Sequence, residues 1–385
     1  MTESPPRTLL DASGNATLHP LAREAYVRSL ADGWADPRRL HAEGRRARAL
    51  LDGARESLAA SLGVRTQEIH LAPNHVAAIH AGVLAIRGGR RRRGQAVVLP
   101  AVERAAVRHA AAHPLPGSDA PATVVDVPVQ ADGRVDTQAF LDAVAAPGVA
   151  LACLQHANGE VGTVQPLEQA VEACAASGVP LLCDAGATIG HLPAPGGWDA
   201  LAADPADWGA GPGVGVLAVR ARTRTRSAWP EDDEAWFPGG VSIPAAFAAA
   251  VALEAVLGER AAEAARQQAL IDQIRACATT VPDTQVVGDP VTRLPHVVTF
   301  SCLYVDGEAL VTELDRRGFA VGSGSACTSS TLEPSHVLAA MGVLTHGNVR
   351  VSLDRTTTAD DVARFCAELP DAVATVRDAL GVNGL

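Results

Sequence analysis

The sequence predicts an α/β protein with a mostly parallel sheet, followed by a smaller α+β unit. Between residues 69 and 183, short β-type runs alternate with single helical runs. Strands separated by one helix imply right-handed crossovers, which make the strands parallel and cover both faces of the sheet. The composition agrees, since 48% of the 385 residues are hydrophobic and only 3% are aromatic. This length suffices for a sizeable core and for two lobes.

Element by element, hydrophobic periodicity predicts helices over 20–30 and 38–62, the second ending at Gly63. Predicted strands follow at 69–71, 96–99, 123–127, 149–154 and 180–183, with helices at 76–86, 103–112, 137–145 and 167–177. After a polar connector at 222–240 and a long helix at 244–277, strands are predicted at 296–302, 318–321 and 348–353, and helices at 359–369 and 371–380. We expect a large α/β domain over 1–243, whose N-terminal segment can pack on the small domain, and a small α+β domain over 244–385.

Composition narrows the possible partners and locations. The net charge of −11 argues against general nucleic-acid binding. The basic run Arg90–Arg93 could contact an acidic partner or RNA, but the flanking glycines favour a solvated loop. The apolar stretch 245–257 is too short to span a membrane. The N-terminus lacks a basic region followed by an apolar one, so we expect a cytoplasmic protein. The seven cysteines show no metal-type spacing, and we expect reduced thiols and no metal site.

The most informative feature of the composition is that all 32 basic residues are arginine. Coding bias toward arginine explains part of this, but such bias usually leaves a few lysines. Because there is no ε-amine in the sequence, no lysine side chain can form a Schiff base or move a proton during catalysis.

The segment GSGSACTSSTLEPSHVLAAMG (322–342) carries the strongest functional signal. It places Cys327 among Gly, Ser and Thr before a helix that begins near a proline. A structural cysteine beside a helix cap would be the default interpretation. However, the whole segment resembles the active-site loop of the cysteine desulfurases of the shorter-loop, IscS- or NifS-like type. That resemblance implies that Cys327 accepts sulfur and becomes a persulfide.

The resemblance extends in order over nearly the whole chain. The other matching segments are LDASGNATLHP (10–20), the helical stretch after WADPRRLHAEG, HANGEVGTVQP (156–166), LLCDAGATIGHLP (181–193) and NVRVSLDRTTTADDV (348–362). They resemble the family's LDNAATTP, NPSSxHxxGxxAR, NNExGxxQP, HxDAAQxxGxxP and IRxSxGxxTTxxDV segments. The resemblance implies the pyridoxal-phosphate fold-type I of aminotransferase class V, and a homodimer.

Several residues that match the family's site are retained. The resemblance implies that Asp184 pairs with the pyridine nitrogen of the cofactor, although a helix N-cap is an alternative. Arg350 matches the arginine that binds the substrate carboxylate, and Asn158 lies in the segment similar to NNE. Ser242 follows Gly239 and Gly240 and loosely matches a phosphate-binding threonine from the other subunit.

Other site positions depart from the family pattern. The SxHK stretch with the Schiff-base lysine has no counterpart in ADWGAGPGVGVLAVR (206–220). The phosphate-binding SGATE turn is PNHVA, which contains His75 and Val76. Arg104 replaces the histidine that stacks on the ring, Gly159 replaces the second Asn of NNE, and Ala187 replaces the Gln of DAAQ. We expect no covalent cofactor and at most noncovalent pyridoxal phosphate.

Three functional hypotheses follow. In the first, the chain is a cofactor-independent sulfur-relay protein that uses Cys327 beside an active desulfurase paralogue, a sulfurtransferase or another sulfur-acceptor protein. In the second, the altered site acts on a small carboxylated ligand, or retains weak desulfurase activity with noncovalent pyridoxal phosphate. In the third, the chain is a non-catalytic dimeric scaffold. Retention of the complete ACTSS loop favours the first.

Overall fold

The computed structural model describes residues 7–115, 122–226, 236–323 and 334–381. Its main layer is a seven-stranded sheet with the order β2-β8-β7-β6-β5-β3-β4. These strands are β2 (Ile69–Ala72), β3 (Ala96–Pro100), β4 (Val124–Val127), β5 (Val149–Gln155), β6 (Leu181–Asp184), β7 (Ala200–Ala203) and β8 (Gly215–Val219). Strands β3 to β7 are parallel to one another, whereas β8 is antiparallel to both β7 and β2. The predicted mostly parallel sheet is confirmed.

Both faces of this sheet are buried, which explains the continuous apolar strand sequences. On β6, Leu181 and Cys183 belong to one core cluster and Leu182 to the cluster on the other face. The helices are α1 (Pro20–Ser29), α2 (Ala42–Leu62), α3 (His75–Arg90), α4 (Ala105–Ala112), α5 (Thr137–Ala145), α6 (Leu167–Ser177), α7 (Ile243–Thr280), α8 (Gly307–Arg316), α9 (His336–Met341) and α10 (Ala359–Ala379). Helix α3 packs in the same cluster as Leu182, so it covers that face.

The C-terminal part forms a second, smaller unit. Its antiparallel sheet has the order β12-β10-β9, formed by β9 (Thr284–Val287), β10 (Val297–Cys302) and β12 (Asn348–Ser352). The N-terminal strand β1 (Thr8–Leu10) pairs in parallel with β11 (Phe319–Val321). Strand β1 therefore belongs to the C-terminal unit, although it precedes the large sheet in the sequence.

One prediction for this unit is wrong. The helices predicted separately at 359–369 and 371–380 form the single helix α10, with Pro370 inside it. Proline removes one backbone hydrogen bond and normally kinks or ends a helix. Here Leu369, Ala372 and Val373 are buried on both sides of the proline, so a continuous apolar face favours one helix.

Among the described residues, no helix is both long and apolar enough to cross a membrane.

Candidate functional site

The candidate site is centred on Asp184, at the carboxyl end of β6. Alternation along the strand places this side chain on the same face as Leu182, the face covered by α3. The carboxylate is 3% exposed and its two oxygens have three close neighbours. Oδ1 accepts a hydrogen bond from the Gly186 N–H at 2.9 Å and lies 3.0 Å from Nε2 of His75. Oδ2 accepts a hydrogen bond from Nε of Arg104 at 2.6 Å.

The electrostatics of this cluster keep Asp184 ionised. Burial alone would raise the pKa of Asp184, but the charge of Arg104 and the contact with His75 hold it well below its usual range. In turn, the neighbouring Asp184 raises the pKa of Arg104 against the opposing effect of burial. The cluster is therefore a buried carboxylate whose charge is balanced by the guanidinium group of Arg104.

Local structure explains how the two partners reach Asp184. Asn74 caps α3 by accepting a hydrogen bond from the Ala77 N–H at 2.8 Å, which fixes the first helical turn at the sheet edge. His75 is the first residue of this turn and is 4% exposed. Arg104 lies at the start of α4, directly after the loop that leaves β3. The segments that follow the carboxyl ends of β2 and β3 therefore both reach the carboxyl end of β6.

Gly186 makes room for His75. A methyl group at this position would lie 2.8 Å from Nε2 and 2.9 Å from Nδ1 of the imidazole, and closer still to Cε1. The family segment similar to LLCDAGAT has alanine here. The absence of a side chain at Gly186 therefore leaves the space that the imidazole of His75 fills.

Three of the altered positions lie side by side. A methyl group on Gly159 would be 3.3 Å from Cβ of Ala187 and 3.9 Å from Nη2 of Arg104. Val76, by contrast, is 50% exposed on the first turn of α3. The structure thus brings His75, Arg104, Gly159 and Ala187 together around Asp184, and leaves Val76 at the surface.

Asn158 lies beside this region, but its polar side-chain atoms form hydrogen bonds with neighbouring backbone groups. Its Nδ2 donates to the carbonyl oxygen of Val102 at 3.1 Å, and its Oδ1 accepts from the N–H groups of Glu160 and Val161 at 2.8 and 2.9 Å. The side chain is 3% exposed. In this arrangement it organises the turn after β5, and its predicted contact with a substrate stays a prediction.

Arg350 lies on β12 next to one end of the cysteine segment. Its backbone exchanges hydrogen bonds with Gly322 at 3.0 and 2.8 Å. Its Nη2 donates to Oδ1 of Asp11 at 2.8 Å, while Nε has no hydrogen-bond partner among the described residues. Cys327 itself is in 324–333 and lies outside the described residues.

The other end of that segment also contacts this region. The Ser335 hydroxyl donates to Oε1 of Glu160 at 2.6 Å, and Nε2 of His336 lies 3.0 Å from the carbonyl oxygen of Glu103. Glu160 follows Gly159, which borders Arg104. The described residues on both sides of the ACTSS segment are therefore bonded to the surroundings of the Asp184 cluster and Arg350.

Ser242 caps α7, where its hydroxyl oxygen accepts from the Ala245 N–H at 3.4 Å. It is exposed and lines an open groove with Trp34, His70 and Gly240. No described contact joins it to the Asp184 cluster. The predicted role of Ser242 in phosphate binding from a second subunit stays a prediction.

Sequence reasoning missed Glu103 as a member of the site. Its side chain is fully buried, and its two oxygens accept from the N–H groups of Arg104 and Gln155 at 3.0 and 2.8 Å. Burial and the nearby Asp184 raise the pKa of Glu103 to about 8. The only signal in the sequence was an acidic residue directly before Arg104, which is too common to indicate a buried position.

The mostly parallel sheet, the aspartate at the end of β6 and the small C-terminal unit that takes up β1 define a protein of the pyridoxal-phosphate fold-type I class. Residues 8–365 match the family described as aminotransferase class-V. The chain belongs to this family, as the sequence resemblance predicted.

Relatives and solved structures agree with this assignment. A cysteine desulfurase from Cereibacter sphaeroides is 32% identical over 384 residues, which cover 96% of this chain and 97% of that protein. The cysteine desulfurase IscS of Anaeromyxobacter sp. is 34% identical over 356 residues, covering 88% and 85%. The fold is similar to that of a NifS-like protein, with a TM-score of 0.87 at 21% identity, covering 96% of this chain and 100% of that one. It is also similar to the apo structure of a cysteine desulfurase from Thermococcus onnurineus, with a TM-score of 0.83 at 17% identity and coverage of 96% and 95%.

Proposed function

We propose that this chain is a cysteine desulfurase homologue that works without pyridoxal phosphate and carries sulfane sulfur on Cys327. The observation that carries the first part is the pairing of Asp184 with Arg104 and His75. The pyridine nitrogen of the cofactor would need an oxygen of this carboxylate, and both oxygens already have partners within the chain.

The rest of the site fits the cofactor no better. The sequence has no lysine for an internal aldimine. An arginine stands in place of the family's ring-stacking histidine, and its guanidinium turns toward Asp184. Placing the pyridine ring against Asp184 would require Arg104 to give up its 2.6 Å hydrogen bond. These features support a protein whose chemistry does not pass through the cofactor.

The sulfur step that we propose needs only thiol chemistry. The Cys327 thiolate attacks the outer sulfur of a persulfide on a donor protein, the S–S bond of the donor breaks, and the donor cysteine leaves as a thiolate. The proton lost from Cys327 is balanced by the one that the donor thiolate takes up, and no external oxidant is required. The match of residues 322–342 to the family's active-site loop, and the bonding of both flanks beside Arg350 and Glu160, support this role.

A labelling experiment tests sulfur transfer. The protein is incubated with an active cysteine desulfurase and ³⁵S-labelled L-cysteine, and the label is located by non-reducing peptide mapping. We expect the label on the peptide with Cys327, its loss in Cys327→Ser, and its retention in Cys366→Ser, which removes another thiol that is partly accessible. Equal labelling of wild type and Cys327→Ser would refute the proposal.

An absorption experiment tests the cofactor separately. Purified protein with added pyridoxal phosphate should show only the free cofactor spectrum, unchanged by L-cysteine. An aldimine band that responds to L-cysteine, or label on Cys327 without a donor desulfurase, would instead identify the chain as a desulfurase in its own right.

We further propose that the protein is a homodimer. Large apolar side chains are unusually exposed near the N-terminus, namely Leu21, Val27, Leu30, Trp34 and Leu40, at 47, 61, 50, 70 and 89%. Such a concentration supports a protein interface at this part of the surface. Sedimentation equilibrium should give the mass of two chains, and Trp34→Ser combined with Leu40→Ser should shift it toward one.

A further inference from the structure

A second cluster of polar residues lies away from Asp184, where the two units of the chain meet. His191 follows β6, Asp207 lies in the loop between β7 and β8, and His296 directly precedes β10. One possible ligand atom from each residue lies within 4.8 Å of the other two. The three residues are far apart in the sequence, which explains why cysteine and histidine spacing predicted no metal site.

The polar atoms that face each other in this cluster lack hydrogen-bond partners among the described residues. Nε2 of His191, Oδ2 of Asp207 and both ring nitrogens of His296 are buried without a hydrogen-bond partner among the described residues. Asp207 and His296 are 2 and 1% exposed. Buried polar atoms are normally satisfied, because water can no longer compensate for a missing bond. Because three neighbouring residues all have unsatisfied buried polar atoms, we expect one shared binding partner for them.

The geometry suggests a cation as that partner. Nε2 of His191 lies 3.2 Å from Oδ2 of Asp207, yet the two atoms do not form a well-directed hydrogen bond. Two ligands at about 2.0–2.1 Å from a tetrahedral ion are roughly 3.3 Å apart. The observed separation matches that of two ligands that share an ion, although a direct ion pair between the two groups has the same length.

The surroundings supply space and a fourth oxygen. The three residues line a cavity of about 40 Å³, which is also lined by Gln267. Oε1 of Gln267 is buried and lacks a partner as well. This volume is large enough for a metal ion with one or two waters. Two imidazoles and a carboxylate are the donor set of many first-row transition-metal sites.

We propose that His191, Asp207 and His296 bind a divalent first-row transition ion such as Zn²⁺, with Gln267 or water completing the coordination. The His191 and His296 rings are stacked, with centroids 3.7 Å apart and planes 18° apart. One ion cannot lie in both ring planes in this arrangement, so binding requires the His296 ring to turn about its χ2 bond. Because His296 precedes a strand of the small unit, the bound ion would join that unit to the loops of the large sheet.

The test uses the full-length chain with Cys327→Ser as background, so that this thiol does not bind the probe. After treatment with a chelator, Zn²⁺ is titrated by calorimetry and Co²⁺ by visible absorption. We expect one ion per chain, and cobalt d–d bands without the charge-transfer band that thiolate ligands produce. His191→Gln should weaken binding on the order of a hundredfold, since even outer-shell changes cost about 10–100-fold.

Two further variants separate a lost ligand from a lost fold. Asp207→Asn keeps the oxygen that accepts the Gly14 N–H at 2.8 Å, so it should fold normally while binding Zn²⁺ weakly. His109→Gln removes an exposed histidine elsewhere and should bind like the background protein. Zn²⁺ should raise the melting temperature of the background protein and His109→Gln but not of the site variants. Absence of a one-to-one Zn²⁺ isotherm, or equal affinity in His191→Gln, would overturn the proposal and leave the cavity to water.

Discussion

The pair formed by Gly186 and His75 allows a quantitative test of how the region around Asp184 is packed. Gly186→Ala places a methyl carbon 2.8 Å from Nε2 of His75, and nearer to Cε1. An ordinary contact is about 3.5–4.0 Å, so the ring must move by at least about 0.7 Å. The imidazole is 4% exposed and lies 3.0 Å from the Asp184 carboxylate, so it cannot move freely. Gly186 itself lacks a positive φ, so the backbone accepts alanine.

Overpacking of this kind typically costs about 1–3 kcal/mol. We expect Gly186→Ala to lower the free energy of unfolding by about 2 kcal/mol, because the displaced ring also weakens its contact with Asp184. His75→Ala removes the obstacle. In that background, Gly186→Ala should therefore have almost no effect, which gives a coupling energy of about 2 kcal/mol between the two positions.

The assay is urea unfolding at pH 7 for the two single variants and the double variant, at one protein concentration. Gly196→Ala is the matched control, because a methyl group there meets nothing within 4 Å. If Gly186→Ala lay within about 0.5 kcal/mol of wild type, or if its cost persisted in His75→Ala, His75 would not occupy the space beside Gly186 and the description of the site would be wrong.

Three other predictions concern charge and anchoring. Arg104→Met should lower the free energy of unfolding in urea by about 2 kcal/mol. This is less than the roughly 3–5 kcal/mol expected for a fully buried ion pair, because the Arg104 side chain is 37% exposed. As a control, Arg108→Met breaks an exposed ion pair and should cost less than about 1 kcal/mol. Burial lowers the pKa of His156 to about 4, so between pH 6.5 and 4 the unfolded chain binds a proton that the folded chain does not. The free energy of unfolding should therefore fall by up to about 3 kcal/mol as the pH drops through that range. The fall should be less steep in His156→Gln than in the control variant His109→Gln. Ser335→Ala should cost about 1 kcal/mol by loss of the α9 cap and increase amide exchange in α9, and unchanged exchange would count against its anchoring role.

The surroundings of Asp184 show which features of the fold and site could be predicted from the sequence and which could not. The order of strands and helices was predictable, because alternating apolar runs specify a parallel sheet without reference to distant residues. The family segments then identified Asp184, Arg350 and the altered positions. Strands β1, β7, β8 and β9 were not predicted; the run Ala200–Ala203 of β7, for example, is short, alanine-rich and without clear alternation. Helix α8 was not predicted although Asp306 caps it and Leu310 and Leu314 recur at helical spacing. The continuity of α10 through Pro370 was missed because long-range packing outweighs local preference.

By itself, the sequence established the fold class, the family and the absence of lysine, because each depends on residue identity and local order. Only the tertiary structure decided how the altered positions are arranged around Asp184. It turned Arg104 and His75 toward one buried carboxylate, matched Gly186 to the imidazole, and assembled His191, Asp207 and His296 from three distant segments. The physical reason is that burial and charge balance depend on which chain segments the sheet brings together, and pairwise distances of this kind are not encoded in local sequence patterns.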